Sequence, residues 1–473
     1  MLFNSYTFVI FLAIVLLLYY LIPKWETRKC VLLLSSYIFY AVWNPPFVFL
    51  IWLSTVADFV LAKKVHASKD ISRKKIFLAF SLTINLGLLA FFKYSQFLLN
   101  NFVWLLSLFD VNYVPPELNI ILPIGISFYT FQTLSYTIDI YKGSAKPCKS
   151  FLDFALYVTF FPQLVAGPIV RSDKFLSQCR DAKTLNWDQI GLGLTWLIIG
   201  LFLKSVVSDA FLAPVADTVY NHVGTVDFVT AWIGTLAFSG QILCDFAGYS
   251  ICAIGVALCL GFKLPKNFYF PYAAVGFSDF WRRWHITLST WLRDYVYIAC
   301  GGNRKGKNRT YINLMITMLI GGLWHGAAWT FVAWGMLHGF YLIAEKFLKE
   351  KFHYLKIKDH FFTQFFFGLL TFFLVTITWV FFRASTFEQA FSIISTMFSF
   401  GSNGLSLLDS KSIVIVLFIM LITLTANWYL KNKELEEIIR NTKWWKVSIG
   451  LSLMIYLILT LPTPDRNFIY FQF

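Results

Sequence analysis

Apolar residues run along this chain in long blocks, and the links between the blocks are rich in Lys, Arg, Pro and Gly. The first block, MLFNSYTFVIFLAIVLLLYYLIP, has no basic residue ahead of it and no small-residue cleavage site behind it, and Lys24, Arg28 and Lys29 follow instead. That pattern predicts a retained first membrane span with its N-terminus outside the cytoplasm, not a cleaved leader. A second block, Cys30 to Trp43, stops at Asn44-Pro45-Pro46, where fixed φ angles and missing donors dictate a turn. A third, Phe47 to Ala62, runs into a basic loop from Lys63 to Lys75 that holds six Lys and Arg and reads as cytoplasmic. Ile76 to Leu99 leads outward to Pro115-Pro116, and Ile120 to Tyr141 returns to Lys142, Lys146 and Lys149. The next stretch, FLDFALYVTFFPQLVAGPIVRSDKFLSQ, sets Pro162 and Pro168 in or beside apolar sequence, with Arg171 and Lys174 just after. This is the pattern of a broken or re-entrant helix pair. Further spans are predicted at Ile190 to Val207, from Phe228 through Asp245 and on through GYSICAIGVALCLGF, and at Phe361 to Phe382, Ser412 to Leu430 and Val447 to Leu461. At about 20 residues each, the chain has room for about ten to twelve membrane segments. The expected fold is an all-α polytopic integral membrane protein, one domain over residues 1–473.

Composition narrows the class. The chain is 58% hydrophobic and only 14% charged, against about 25% charged residues in soluble domains, so a soluble fold is excluded. The net charge of +15 lies in short loops between apolar blocks, as the positive-inside rule writes topology, and no basic face supports nucleic-acid binding. The seven cysteines are an odd number without CxxC or Cys/His spacing. Cys30, Cys244, Cys252 and Cys259 sit in apolar runs, which predicts small buried side chains and neither a disulfide framework nor a metal. No P-loop or GxGxxG occurs, and GGNRKGK lacks the Walker spacing, so ATP-driven transport has no support.

Candidate chemistry concentrates between Phe277 and Gly339. Tyr311 to Ala344 carries no Asp, Glu, Lys or Arg and is long enough to span a bilayer, yet it holds His325 and His338. An ionisable side chain at that depth is a functional-site candidate facing protein or water. Gly321, Gly322 and Gly326 thin the helix around His325, leaving room for a substrate or for a close-packed neighbour. An imidazole suits general-base work, and burial favours the neutral form that a base needs; a hydrogen-bonded packing histidine is the other reading. Upstream, Asp279, Arg282, Arg283, His285, Arg293 and Asp294 lie among Trp281, Trp284 and Trp291. Those charges require an interface, an aqueous cavity or a protein-buried re-entrant segment. His285 reads equally as a second catalytic group and as an interfacial anchor. Arg282, Arg283, Arg293 and the Arg304–Arg309 loop suit the phosphates of an anionic cofactor, although ordinary positive-inside charge also explains that loop. Asp245 and Tyr249, polar residues in an apolar setting, read either as groups that orient a histidine or, the favoured reading, as a buried structural network. His338, about 220° from His325 on one ideal helix, is expected on a different surface in a packing role. His66, His353 and His360 fall in predicted loops and look incidental.

The residues also carry a resemblance. FWRRWHITLSTWLRDYVYIACGG, followed after a basic loop by GGLWHGAAWTFVAWGMLHG, resembles the membrane-bound O-acyltransferases, above all their bacterial alginate O-acetylation branch. FPQLVAGPIVR, DFAGYS, LGFKLPKNFYFPY and FIYFQF extend the likeness over nearly the whole chain, with a core at about residues 241–345. After DFAGYS the chain has Ile251-Cys252, where many members carry an acidic residue and Met. The resemblance implies a ring of tilted helices with re-entrant segments around a thin centre, where funnels from both faces meet in a tunnel. It implies acetyl transfer from cytoplasmic acetyl-CoA toward a polysaccharide outside, either an alginate-like exopolysaccharide or peptidoglycan. His325 is then catalytic, His285 is the second site residue, and Arg282, Arg283, Arg293 and Trp324 contact the donor. An extracytoplasmic SGNH (serine hydrolase-like) partner and a bacterial inner-membrane location with both termini outside are also implied. The alternatives are D-alanyl-type transfer from a carrier protein and a non-catalytic channel or export subunit.

Overall fold

Six helices are long and apolar enough to cross a membrane in the computed structural model, which describes residues 1–165, 167–352, 360–400, 404–461, 466 and 468–471. The described residues form helices and loops, with one isolated backbone bridge between Val226 and Leu405. Two compact units result, one of Met1–Leu194 with Ala253–Pro265, the other of Thr195–Cys252 with Lys266–Phe473. His353 and the final Gln472-Phe473 of FIYFQF lie outside the described residues.

In the first unit, α1 (Tyr6–Leu21) starts where the Ser5 side chain accepts from the Phe8 amide. Helix α2 (Trp25–Ala41) starts well before the predicted Cys30. Lys29 is not a loop residue; it is buried, 2.9 Å from Glu26 and 2.6 Å from Asp153. The predicted basic loop Lys63–Lys75 is also mostly helix, since α3 (Pro46–Ala67) and α4 (Ile71–Ser107) leave only residues 68–70 between them. Lysine is a good helix former whose long arm reaches polar surroundings from a helix end, so these charges never required a loop. Helix α5 (Ile126–Tyr141) begins later than predicted, after Gly125 at φ 76°. The expected break appears as α6 (Phe151–Thr159) followed by short helical turns at Phe161–Leu164 and Ser172–Leu176. Helices α3, α4 and α5 are tied by a buried cluster on Asp58. Its carboxylate accepts from Ser81, from Asn85 Nδ2 at 2.8 Å and from Thr137 at 3.3 Å, while Asn85 Oδ1 accepts from Ser54 at 2.8 Å and Thr133 at 3.0 Å. Such hydrogen bonds are the glue between helices that lipid cannot drive together.

The long helices α7 (Trp187–Tyr220) and α8 (Phe228–Cys259) follow. The predicted end at Val207 is overrun because the polar residues there are absorbed by a π-helical stretch, Phe202–Leu212. The second unit continues with short α9 (Phe277–Arg283) and α10 (Ile286–Leu292), then α11 (Lys307–His325), α12 (Trp329–Phe352), α13 (Phe361–Arg383), α14 (Phe387–Phe398), α15 (Ser410–Leu430) and α16 (Trp444–Thr460). Helix α14 was absent from the sequence reading, although Thr386-Phe-Glu-Gln389 is a capping pattern: Thr386 accepts from the Gln389 amide at 3.1 Å.

The apolar run 311–344 is not one helix. It is an antiparallel hairpin, with α11 ending at His325, Gly326 extended (φ −155°), and α12 starting at Trp329. Lys307 and Glu350 pair at 3.2 Å across its open end. The two arms touch backbone to backbone: a Cβ at Gly322 would strike the Phe331 carbonyl, one at Gly335 the Met318 carbonyl, and one at Gly339 would lie 2.8 Å from the Met315 sulfur. Small residues therefore set the crossing, as in membrane helix pairs generally. Of the two readings of the glycines around His325, the close-packed neighbour holds at two of the three, since Gly322 meets Phe331 backbone and Gly326 meets the Phe331 ring.

Candidate active site

Ending α11 at His325 places that imidazole at the turn of the hairpin, where it is 1% exposed. Its ring is enclosed by aromatic neighbours, with centroids at 5.0 Å to Trp334, 5.1 Å to Trp324, 5.3 Å to Phe382 and 5.4 Å to Tyr470. The sequence placed one of these side chains, Trp324, at the site. The others come from α12, α13 and the C-terminal turn, and only the fold brings them together.

His285 joins them. Its centroid lies 6.3 Å from His325 and 5.7 Å from Trp324, and it is fully buried. The residue sits between α9 and α10 with φ 41° and ψ 54°, a left-handed conformation uncommon outside glycine. Asn267 holds it there. Asn267 Oδ1 accepts from Thr287 Oγ1 at 2.9 Å and from the Thr287 amide at 3.4 Å, and its carbonyl accepts from the Ile286 amide at 2.9 Å. His285 Nδ1 lies 3.0 Å from the same Oδ1. Because that oxygen is the acceptor, Nδ1 of a neutral ring carries the proton and Nε2 carries the lone pair.

His338 does not face away from His325. The 220° separation assumed an unbroken helix; across the turn, both rings pack on Trp334, at 4.7 Å for His338 and 5.0 Å for His325. The packing role fits all the same, since His338 is buried, hydrogen-bonded to Thr378 Oγ1 at 3.0 Å and stacked on Phe280. His66, in the last turn of α3, and His360, before α13, are exposed.

The arginines separate. Arg283 is committed to protein, 3.0 Å from Asp279 and donating to the carbonyls of Tyr269 at 3.3 Å and Lys431 at 2.9 Å. Arg282 is exposed, as is Arg293, which pairs with its neighbour Asp294 at 2.8 Å. Among the cysteines, Cys244, Cys252 and Cys259 are buried and Cys30 is exposed.

Sequence reasoning missed a buried ion cluster. Lys204 Nζ lies 3.0 Å from Asp209 and 2.5 Å from Asp245, and all three side chains are at most 5% exposed. Residues five apart diverge by about 140° on an α-helix; the i→i+5 register of the π-stretch puts Lys204 and Asp209 on one face. Lys204 inside one predicted span and Asp245 inside the next were the signal available. Asp245 also accepts from the Ile469 amide at 2.8 Å, which confirms the structural-network reading for Asp245 and shows what the network holds.

Residues 142–387, 246 of 473, match the family model of the membrane-bound O-acyltransferases (MBOAT). The peptidoglycan O-acetyltransferase of Helicobacter pylori is 39% identical, the alignment covering 86% of this chain and 81% of that protein. The probable alginate O-acetylase AlgI of Azotobacter vinelandii is also 39% identical, over 87% and 81%. A teichoic acid D-alanyltransferase of Streptococcus thermophilus is 29% identical over 52% of this chain and 63% of its own. Membrane-crossing helices, a family match over more than half the sequence and relatives at this identity make the chain a multi-pass membrane O-acyltransferase that belongs to the MBOAT family.

Proposed function

We propose that the protein moves acetyl groups from cytoplasmic acetyl-CoA to a cell-surface polysaccharide, with His325 as general base. The observation that carries this reading is the burial of two histidines with ring centroids 6.3 Å apart, His325 at the turn of a closely packed hairpin and His285 beside it. A neutral His325 takes the proton of the acceptor hydroxyl as its oxygen attacks the thioester carbonyl. The tetrahedral adduct then collapses, the C–S bond breaks, and the leaving thiolate takes the proton back from the imidazolium. With Nδ1 tied to Asn267, His285 is held beside His325 as the second residue of the site. Trp324 and the other rings keep bulk water from competing for the acyl group. Arg282 and Arg293, exposed at the ends of α9 and α10, are the proposed phosphate contacts of the donor, and Arg283 orders the segment between them.

The basic segments at 301–309 and 345–351 support a cytoplasmic open end of the hairpin. The same rule supports an inner-membrane location with both termini outside. A single helix over 311–344 would have put those two segments on opposite sides; a hairpin returns them to one. The 39% identity to two O-acetyl-transferring relatives, against 29% to the D-alanyltransferase, supports acetyl over D-alanyl. The acceptor, alginate-like or peptidoglycan, is reached directly or through a proposed extracytoplasmic SGNH-type partner.

The test is turnover of radiolabelled acetyl-CoA by protein in nanodiscs, with and without the co-expressed partner, for wild type and His325→Ala matched by size-exclusion profile. Turnover lost only in the variant supports the assignment. Equal turnover in both sinks it.

A further inference from the structure

From the donors that converge on one buried amide we infer that Asn267 is a positioning residue of the acyl-transfer centre: its neutral side chain fixes the ring of His285 and keeps that ring uncharged beside His325. This rests on the reading of His325 as the general base.

Helix α10 begins at Ile286 with His285 as its N-cap, yet the His285 side chain makes no capping hydrogen bond. The first amides of a helix need acceptors from outside it, and here a residue 18 positions before His285 supplies them. The Asn267 carbonyl accepts from the Ile286 amide at 2.9 Å, and Asn267 Oδ1 accepts from the Thr287 amide at 3.4 Å. An amide N–H only donates, so the side-chain atom it meets is the oxygen, and Nδ2 donates to Ser250 Oγ on α8 at 3.3 Å. His285 Nδ1 lies 3.0 Å from the same Oδ1. Asn267 and Ser250 are both buried. One amide, anchored on α8, thus caps α10 from a distance and tethers the ring of its N-cap residue. Because Asn267 does the capping, the His285 ring faces Trp324 at 5.7 Å and His325 at 6.3 Å instead of its own helix.

The charge on the tether matters as much as its place. A carboxylate on Nδ1 would favour the imidazolium form of His285, whereas an amide oxygen orients the ring without doing so, and burial then leaves the ring neutral. A general base at His325 must itself become an imidazolium during the reaction. Two unit charges 6.3 Å apart, at an effective dielectric constant of about 20, oppose that step on the order of 10²-fold. The other rings packed on His285 carry no charge to offset it: Phe246 of α8 at 4.7 Å, Phe268 at 6.4 Å and Trp324, so that His325 is the titratable ring among these neighbours. A neutral amide at Asn267 therefore suits a second histidine placed beside the base.

The experiment measures kcat and KM for acetyl-CoA against pH in nanodiscs, with variants matched by size-exclusion profile. They are Asn267→Asp, Asn267→Ala, His285→Ala, each Asn267 change combined with His285→Ala, and His325→Ala as reference. Asn267→Asp keeps the acceptor and adds a charge, so His285 holds its proton to higher pH. Turnover is then low below the pH at which His285 releases that proton and recovers above it. We expect the acid limb of kcat to move up by about one to two pH units, a loss of about 10- to 100-fold at neutral pH, with KM unchanged within about twofold. Asn267→Ala removes the tether and should lower kcat about 10- to 100-fold without moving that limb. In the His285→Ala background neither change should matter further, because the residue through which Asn267 acts is gone. A wild-type pH profile in Asn267→Asp, or losses that multiply in the double variants, would overturn the inference; with an inactive His325→Ala, the catalytic reading would still stand. If Asn267→Asp does not fold, Asn267→Ala decides: a fall in kcat that vanishes in the His285→Ala background supports the inference, and one that persists there overturns it. An active His325→Ala removes the catalytic reading and the inference with it.

Discussion

Replacing Gly322 by Ala tests whether the hairpin is what positions His325. A Cβ there would lie 3.2 Å from the Phe331 carbonyl carbon and 3.3 Å from Gly335 Cα, and closer still to the Phe331 oxygen. The arms must separate on the order of 1 Å to reach ordinary contact distance. Overpacking of this kind destabilises by about 1–3 kcal/mol, and replacing Gly by Ala within a helix returns about 1 kcal/mol, so the net loss of stability is about 0–2 kcal/mol. Activity should suffer more than stability. His325 lies one turn from Gly322 and moves with it, and a shift of about 1 Å lowers turnover on the order of 10²-fold. Gly335→Ala should behave alike, since its Cβ would lie 3.2 Å from Gly322 Cα. Both changes meet at one crossing, so the double variant should lose less than the product of the single losses. Gly87→Ala in α4 is the control, because nothing lies within 4 Å of its Cβ. The assay is acetyl-CoA turnover beside the apparent melting temperature followed by fluorescence size exclusion. Wild-type turnover in both Gly322→Ala and Gly335→Ala would refute the reasoning, for it would mean that the spacing of the arms does not matter to the histidine.

Two further outcomes follow from the charges. Lys204→Met leaves Asp209 and Asp245 buried without their cation, a change expected to destabilise by about 3–5 kcal/mol; yield and melting temperature should drop sharply, and adding Asp209→Asn and Asp245→Asn to the same chain should recover both. If Arg282 meets the donor's phosphates, Arg282→Gln should raise KM for acetyl-CoA with little change in kcat, and the difference from wild type should shrink as salt is added; a fall in kcat at constant KM would contradict it.

The membrane class, most spans, the break beside Pro162 and the burial of His325 were legible in the sequence, because each rests on local pattern: apolar length, proline position, or an ionisable residue in an apolar run. The turn at Gly326 was not legible. Gly-Ala-Ala forbids no helix, and the break follows from how Gly322 and Gly335 meet, which is a property of two segments together. The same holds for the chamber. Trp324 adjoins His325 in sequence, but Phe382 and Tyr470 reach it only through packing. Lys63, Lys64 and Arg73–Lys75 were read as loop because charge and loop usually coincide between spans; here the charges ride on helix ends. The error at Lys29 had the opposite cause, since a cation with two carboxylate partners can be buried where an unpaired one cannot.

Buried ionisable groups mark function in membranes by default, yet the two clusters on these helices serve different ends, and what each one holds tells them apart. Asp58 accepts from the neutral side chains of Ser81 and Asn85 on α4 and Thr137 on α5, residues already fixed by their own helices. Removing it would loosen helix packing in the first unit and nothing more specific. Asp245 is matched by a cation and spends its second oxygen on the backbone of a segment that has no helix to fix it. That segment carries Tyr470 to His325. An ion pair is an expensive way to join two helices in lipid, where hydroxyl and amide hydrogen bonds suffice. It becomes worthwhile where a non-helical stretch must be pinned with little freedom beside a buried histidine, and the Lys204–Asp245 pair is in that position.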